Sequence, residues 1–246
     1  MNLTRIGCSA LAFCAALCAH GLAHALEKVV VAMPTVIGAQ YSDIAFGQEL
    51  GFFRDEGIEL QLVAFQGSGV AIPQVVNKSA TFGLTESSLL ITALAKGNPL
   101  PVRFVYNYLR TNVNDFAVLA DSPIKTLADL KGRKLGIGSL TFASVPMTKA
   151  AFKELGIVWQ KDVEIRPVGV GAAAWKQLET GQVDALNLYL SEDMRMQLSG
   201  LKIRQIAYPP ALRSLFASAF MTHVDTLRDK PALVAAMGRA VAKSTV

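Results

Sequence analysis

The chain has 246 residues, 52% of them hydrophobic and 17% charged, with a formal net charge of +5. That composition excludes disorder as the main state and supplies enough sequence for two domains of ordinary size. The apolar excess gathers at the start, where Met1 to Arg5 is a short basic opening, Ile6 to Ala19 an apolar stretch and Ala23-His24-Ala25 an A-x-A site. This is the pattern of a secretory signal peptide over residues 1–25, cleaved after Ala25.

Cys8, Cys14 and Cys18, with His20 and His24, all fall inside that leader, so the mature chain keeps no cysteine and one histidine, His223. Disulfides, thiol catalysis, Cys-based zinc sites and His-rich metal sites are thereby excluded from it, and no metal or cofactor is expected. Neither Cys14, after Phe13, nor Cys18, after Leu17, follows the small residue that lipoprotein processing needs. No later apolar run approaches the ~20 residues of a transmembrane helix. The expected product is soluble and exported to a bacterial periplasm.

From residue 26 onward short β-rich runs alternate with helical patterns, the signature of an α/β fold with mostly parallel strands. Val29 to Ala32 is the first strand; Ser42 to Leu50 is helical and closed by Gly51 as a left-handed cap. Ile58 to Phe65 is a strand followed by Gly67-Ser68-Gly69 and a helix to about Asn77. Thr81 to Leu84 is a strand, and Thr85-Glu86-Ser87-Ser88 opens a helix ending near Lys96. Pro101 to Tyr108 and Phe116 to Ala120 are extended runs around a polar segment, Arg110 to Asp115, where the chain crosses to a second lobe. There Thr126 to Asp129 reads as a capping box, Lys134 to Ile137 as a strand, and Gly138 to Thr141 leads into a helix with Met147, Ala151 and Leu155 on one face. Val163 to Val168, a helix from Ala172 to Thr180, Val183 to Leu188, a helix from Ser191 to Ser199 and Ile203 to Ala207 complete that lobe, ended by Pro209-Pro210. One more strand, Leu215 to Met221, and a helix from Pro231 bearing Leu233, Met237 and Ala240 return to the first lobe. The expected organisation is therefore 26–110 plus 214–246 as lobe one and 115–210 as lobe two, with crossings near 108–116 and 209–216.

Three stretches carry a resemblance to the periplasmic solute-binding proteins of ABC importers, in the branch of nitrate, sulfonate and taurine binders related to the thiamine-pyrimidine synthases. Gln48 to Ile58 is similar to the family's "lGfFkkeGl", Ser122 to Gly136 to its "I-x-x-x-x-DLKGKkig", and Thr180 to Ala185 to its "GqvDA". Where the family shows Gly-x-x-Asp-x-Gly, this chain has Asn77 to Gly83 with Ala80 or Thr81 at the aspartate. The resemblance implies a two-lobed, type II periplasmic-binding-protein fold, a small-molecule solute, an inner-membrane permease with its ATPase as partner, no nucleic acid, and a monomer. Relatives continue for several more helices, so lobe one reads as truncated at its C-terminal part.

In such a sheet the ligand sits beyond the carboxyl ends of the strands, where helix N-termini offer backbone N–H groups to an oxyanion. Four loops qualify: Gly67, Ser68 and Gly69; Thr85 to Ser88, with Glu86, Ser87 and Ser88; Ser139 to Ser144, with Ser139, Thr141 and Phe142; and Gly169 to Gly171. Each is equally readable as a turn or cap. Gln40 and Tyr41 are candidate contacts from the first loop, Tyr41 being alternatively a surface or core residue, and Asn107 and Tyr108 end the strand that reaches the crossing. Arg110 pairs a sulfonate or carboxylate bidentately or is a solvated hinge charge. Tyr189 faces the cleft or packs between lobes. Glu86 either complements its helix dipole or points into the cleft, in which case the ligand carries an amine or amide donor as well as an anionic end. Gly169-Val170-Gly171-Ala172-Ala173-Ala174 also matches the dinucleotide fingerprint, with Glu192 as its distant acid. The non-catalytic binder stands against two alternatives of the same fold: a thiamine-pyrimidine-synthase-like enzyme, and the effector-sensing domain of a transcription regulator. The anion classes in view are sulfonate, taurine, nitrate and carboxylate.

Overall fold

The computed structural model describes residues 25–245. All but the last residue of the expected leader, and with it every cysteine, lies outside them. Ten strands form two five-stranded sheets: β1 (Glu27–Met33), β2 (Ile58–Ala64), β3 (Phe82–Thr85), β4 (Val102–Leu109), β5 (Asn114–Leu119), β6 (Lys134–Ile137), β7 (Glu164–Pro167), β8 (Ala185–Tyr189), β9 (Ile203–Ile206) and β10 (Ser218–His223). The first sheet has the order β2-β1-β3-β10-β4 and the second β7-β6-β8-β5-β9. In each, four strands run one way and a single strand is reversed: β10 is antiparallel to β3 and β4, and β5 to β8 and β9. The reversed strand is in both cases the first to arrive after the chain leaves the other sheet. The two sheets therefore carry the same topology.

Helices cover both faces of each sheet, which is why the central strands read as continuous apolar runs rather than alternating ones. Val29, Val31, Ala32 and Met33 of β1 are all fully buried, shared between core layers on opposite faces. The second sheet likewise divides Phe116 and Val118 from Ala117, Leu186 and Leu188. The terminal helix, Pro231–Ser244, buries Leu233, Ala236, Met237, Ala240 and Val241 against the first sheet's core. It passes so close to the helix Ser42–Glu49 that a Cβ on Gly47 would stand 1.8 Å from Ser244 Oγ.

The family-like stretches serve the scaffold. Gly51 has φ +86°, ending one helix and starting the short helix Phe52–Asp55, whose Phe53 is buried. Thr126 and Asp129 form a reciprocal capping box at the turn Leu127–Leu130. Asp184 accepts the Lys134 backbone N–H at 2.7 Å, tying the approach to β8 onto β6. Some expectations are corrected. Leu155 is 45% exposed because the helix Ser144–Glu154 ends before it and its last turn leaves the apolar face. Pro209-Pro210 begins a short helix, Pro210–Arg213, so the next strand starts at Ser218 rather than Leu215.

Candidate functional site

The carboxyl ends of β2, β3, β6 and β7 lead into the helices Ser68–Val76, Ser87–Ala95, Ser144–Glu154 and Ala172–Glu179. Three of the four Gly/Ser loops at these junctions meet across the lobes. The Gly69 N–H donates to the Thr141 carbonyl at 3.0 Å, and the Thr141 hydroxyl donates to the Gln66 carbonyl. Ser139 and Thr141 hydroxyls are 2.8 Å apart and hold the second-lobe loop in shape. Gly67 has φ +99°, and a Cβ there would lie 2.8 Å from the Thr141 carbonyl, so only glycine admits this approach. Deeper in, the Ser88 hydroxyl donates to the Ala143 carbonyl at 2.7 Å, while Ser87 donates to the Phe216 carbonyl at 3.3 Å. Ser68 is buried in its own loop.

Behind these contacts lies a buried polar cluster. Glu86 is 7% exposed, and its two carboxylate oxygens each accept the Asn114 amide at 3.3 Å from the other lobe. Although Glu86 holds the N-cap position of its helix, its side chain makes no cap hydrogen bond. Burial pushes its carboxyl up to about 7, against which the Asn114 hydrogen bond works only in part. Tyr41 is buried, and desolvation raises its hydroxyl well above the usual range despite a hydrogen bond with Ser218. Tyr189 stacks on Phe142 with ring centres 5.6 Å apart and 24° between planes; burial raises its hydroxyl too, with Tyr41, Glu86 and Glu192 adding to the effect. Among the described residues, Asn112 Nδ2, Asn114 Oδ1 and Ser144 Oγ are buried without a hydrogen-bond partner.

The fourth loop behaves differently. The Gly171 N–H and the Trp175 indole both donate to Glu192 Oε2, at 2.7 and 3.0 Å, and Arg195 holds the other oxygen at 3.0 Å. A carboxylate of the chain itself thus sits where the dinucleotide fingerprint would put pyrophosphate. This group borders a cavity of about 90 Å³ at the lobe boundary, lined by Thr35, Gln40, Gly171, Tyr189, Glu192 and Arg195 among others.

Of the residues singled out in the sequence, Tyr41, Glu86, Ser88, Thr141, Phe142 and Tyr189 come together around the lobe contact; Gln40 and Gly171 border the cavity. Tyr108 packs on Tyr41 and Phe220 and donates to the Asp43 carboxylate. Asn107 and Arg110 are not brought in: both are exposed, Asn107 because alternation along β4 sends it away from Tyr106 and Tyr108. Sequence reasoning missed Asn114, Ser218 and the capping role of Glu192. The polar composition of the crossing segment was the only signal for Asn114.

A two-lobed α/β fold with matching β2-β1-β3-βn-β4 topology, its polar cluster at the lobe boundary, defines the periplasmic-binding-protein class of fold. The NMT1/THI5-like family model matches residues 39–246, and the chain belongs to that family. A putative thiamine biosynthesis protein of Haemophilus influenzae is 28% identical over 162 residues, 66% of this chain and 50% of that protein, so the chain spans half the length of this relative. Among solved structures, a protein of Bordetella bronchiseptica RB50 aligns with TM-score 0.73 and 24% identity, over 88% of this chain and 70% of that one. The periplasmic aliphatic sulphonate binding protein SsuA of Escherichia coli aligns with TM-score 0.66 and 20% identity, over 89% and 72%.

Proposed function

We propose that this protein is the exported, periplasmic substrate-binding component of an ABC-type importer, with no catalytic role. It closes two lobes, 26–110 with 214–246 and 115–210, on a small solute and delivers that solute to an inner-membrane permease and its ATPase. The crossings near 108–116 and 209–216 act as the hinge. The observation that carries this reading is the set of direct hydrogen bonds between loops of opposite sheets, Gly69 to Thr141 and Ser88 to Ala143, laid over buried polar groups. A binding protein needs its two halves to meet there and nowhere deep in either core. The sulfonate, taurine, nitrate and carboxylate class is supported by the helix N-termini at Ser87 and Ser144, although the Gly171 N–H is already used by Glu192.

The test is a thermal-shift and calorimetry screen of the mature chain from Leu26 against taurine, alkanesulfonates, nitrate and small carboxylates. A solute at one hundred times its Kd adds ~2.7 kcal/mol to apparent stability. Absence of any shift across all classes overturns the reading. The name of the Haemophilus influenzae relative favours a second, enzymatic reading of the thiamine-pyrimidine-synthase kind. Against it, His223 is engaged in structure, its Nδ1 accepting the Asp225 N–H at 3.1 Å to cap the helix Val224–Asp229. Mass spectrometry of the exported protein separates the effector-sensing alternative, which requires an uncleaved cytoplasmic product.

A further inference from the structure

Glu86 is the buried carboxylate of the lobe contact, and the scaffold does not account for its placement. A carboxylate at a helix N-cap ordinarily turns back to accept an N–H of the first turn. This one does not; it reaches across the boundary to Asn114, whose amide is its side-chain donor among the described residues. The ion pairs among the described residues leave it out, and the groups that feel its charge are the neutral phenols Tyr41, Tyr189 and Tyr208. A carboxylate sealed from water by its own lobe and by the opposite one is unfavourable unless a charge or several donors meet it. Beside it Asn114 Oδ1 is a second buried acceptor with nothing to accept from. The adjoining walls are aromatic, the stacked Phe142 and Tyr189 pair and Tyr41, whose faces attract a desolvated cation.

The geometry points to Glu86 as the counter-ion for a positively charged nitrogen of the transported solute, an ammonium or amidinium group that Glu86 and Asn114 hold when the lobes close. The inference rests on the transport reading and narrows it: the solute carries a cationic nitrogen, with any anionic end turned to the remaining helix N-termini. Charge pairing of this kind also couples binding to closure. In the open form both partners are hydrated, so only the closed form gains from the pair, and a ligand shifts an equilibrium by its differential affinity alone.

The experiment compares matched pairs on the mature protein by calorimetry and thermal shift at pH 7.5: taurine with ethanesulfonate, β-alanine with propionate, benzamidine with benzamide. In at least one pair the nitrogen-charged member binds ten times more tightly or better, Glu86→Gln removes that advantage, and Glu86→Asp keeps most of it. The wild-type comparison stands even where a variant folds poorly. Binding of the uncharged-nitrogen or nitrogen-free members with equal affinity overturns the role of Glu86 and leaves the transport reading intact. No shift from any member of any pair removes the transport reading as well.

Discussion

Raising the pH from 4.5 to 8 should open the protein when no solute is bound. In the closed arrangement Glu86 titrates at about 7 against a usual 4.5, because burial under Asn114 disfavours its charge. Opening returns it to water. Below pH 4.5 the carboxyl is protonated in both forms and closure is insensitive to pH. Between 4.5 and 7 only the closed form keeps the proton, so closure takes one up and weakens about tenfold per pH unit; above 7 the penalty is complete. At about 1.4 kcal/mol per unit the window amounts to roughly 3 kcal/mol, or a few hundred-fold in the closed-to-open ratio. From Leu26 onward the sequence has no cysteine, which makes the assay simple: cysteines replacing exposed Ile37 and Met194, one in each lobe, carry a fluorescent donor and acceptor. Transfer efficiency should fall across the window in wild type and stay at its low-pH value in Glu86→Gln. Asp193, which burial raises to about 6, lies wholly within the second lobe beside Gln205, so its titration affects that lobe's stability rather than the distance. An identical pH response in Glu86→Gln would refute the reasoning.

Three further outcomes are expected. Gly69→Ala puts a Cβ 3.1 Å from the Thr141 carbonyl, with its nearest contacts all on that residue of the opposite lobe; the same fluorescence pair should report a more open protein with an unchanged or higher melting temperature, and an unchanged distance would remove this loop from closure. Glu192→Ala strands the Gly171 N–H and the Trp175 indole, lowering stability by about 1–3 kcal/mol; millimolar sulfate should raise the variant's melting temperature more than wild type's, chloride serving as control. Glu56, held down to about 2 by hydrogen bonds from Arg239 and Lys243, helps fasten the terminal helix. Its pairs are exposed, so Glu56→Gln should cost less than ~1 kcal/mol at pH 7. Because a lowered pKa contributes stability only above the unfolded value, the difference between the two proteins should shrink as pH falls below 4.5 toward 2.

Much of the scaffold was legible because its signals are local. Strands covered on both faces appear as short apolar runs, Gly51, Gly156 and Gly181 stop helices with φ of +86°, +68° and +70°, and Thr126 with Asp129 spell a cap three residues apart. Lys78 was not legible in this way: it takes φ +61° without being glycine, and its side chain pairs with Asp225 at 2.6 Å. The site was less legible because its contacts are distant in sequence. Asn114 reads as connector polarity until β5 is seen to run antiparallel between β8 and β9, which carries it under Glu86. The two readings of Glu86 place the acid at the same position, and only the direction of its side chain separates them. Gly171 looked like an open oxyanion cradle; the residue that fills it, Glu192, is 21 positions away.

The four loops therefore do not form four equivalent cradles. At Gly171 the acceptor comes from the same lobe, so hinge motion leaves it in place and a solute anion gains nothing there. At Gly69 the acceptor is the Thr141 carbonyl of the opposite lobe, so the N–H is released whenever the lobes part. A solute oxygen bound to it would keep Thr141 away and hold the protein open, which makes this loop a seal that competes with anion binding. On the transport reading proposed above, what remains for a solute is the boundary at Glu86 to Ser88 and Ala143, where the Glu86 carboxylate meets the Asn114 amide from the opposite lobe and Ser88 donates to the Ala143 carbonyl. There an ionised Glu86 would repel a simple anion that the helix N-termini would attract, so within the proposed classes a solute with a cationic group is favoured. A solute that offers both signs of charge would satisfy both sides, and on its removal the buried, unpaired carboxylate would favour reopening.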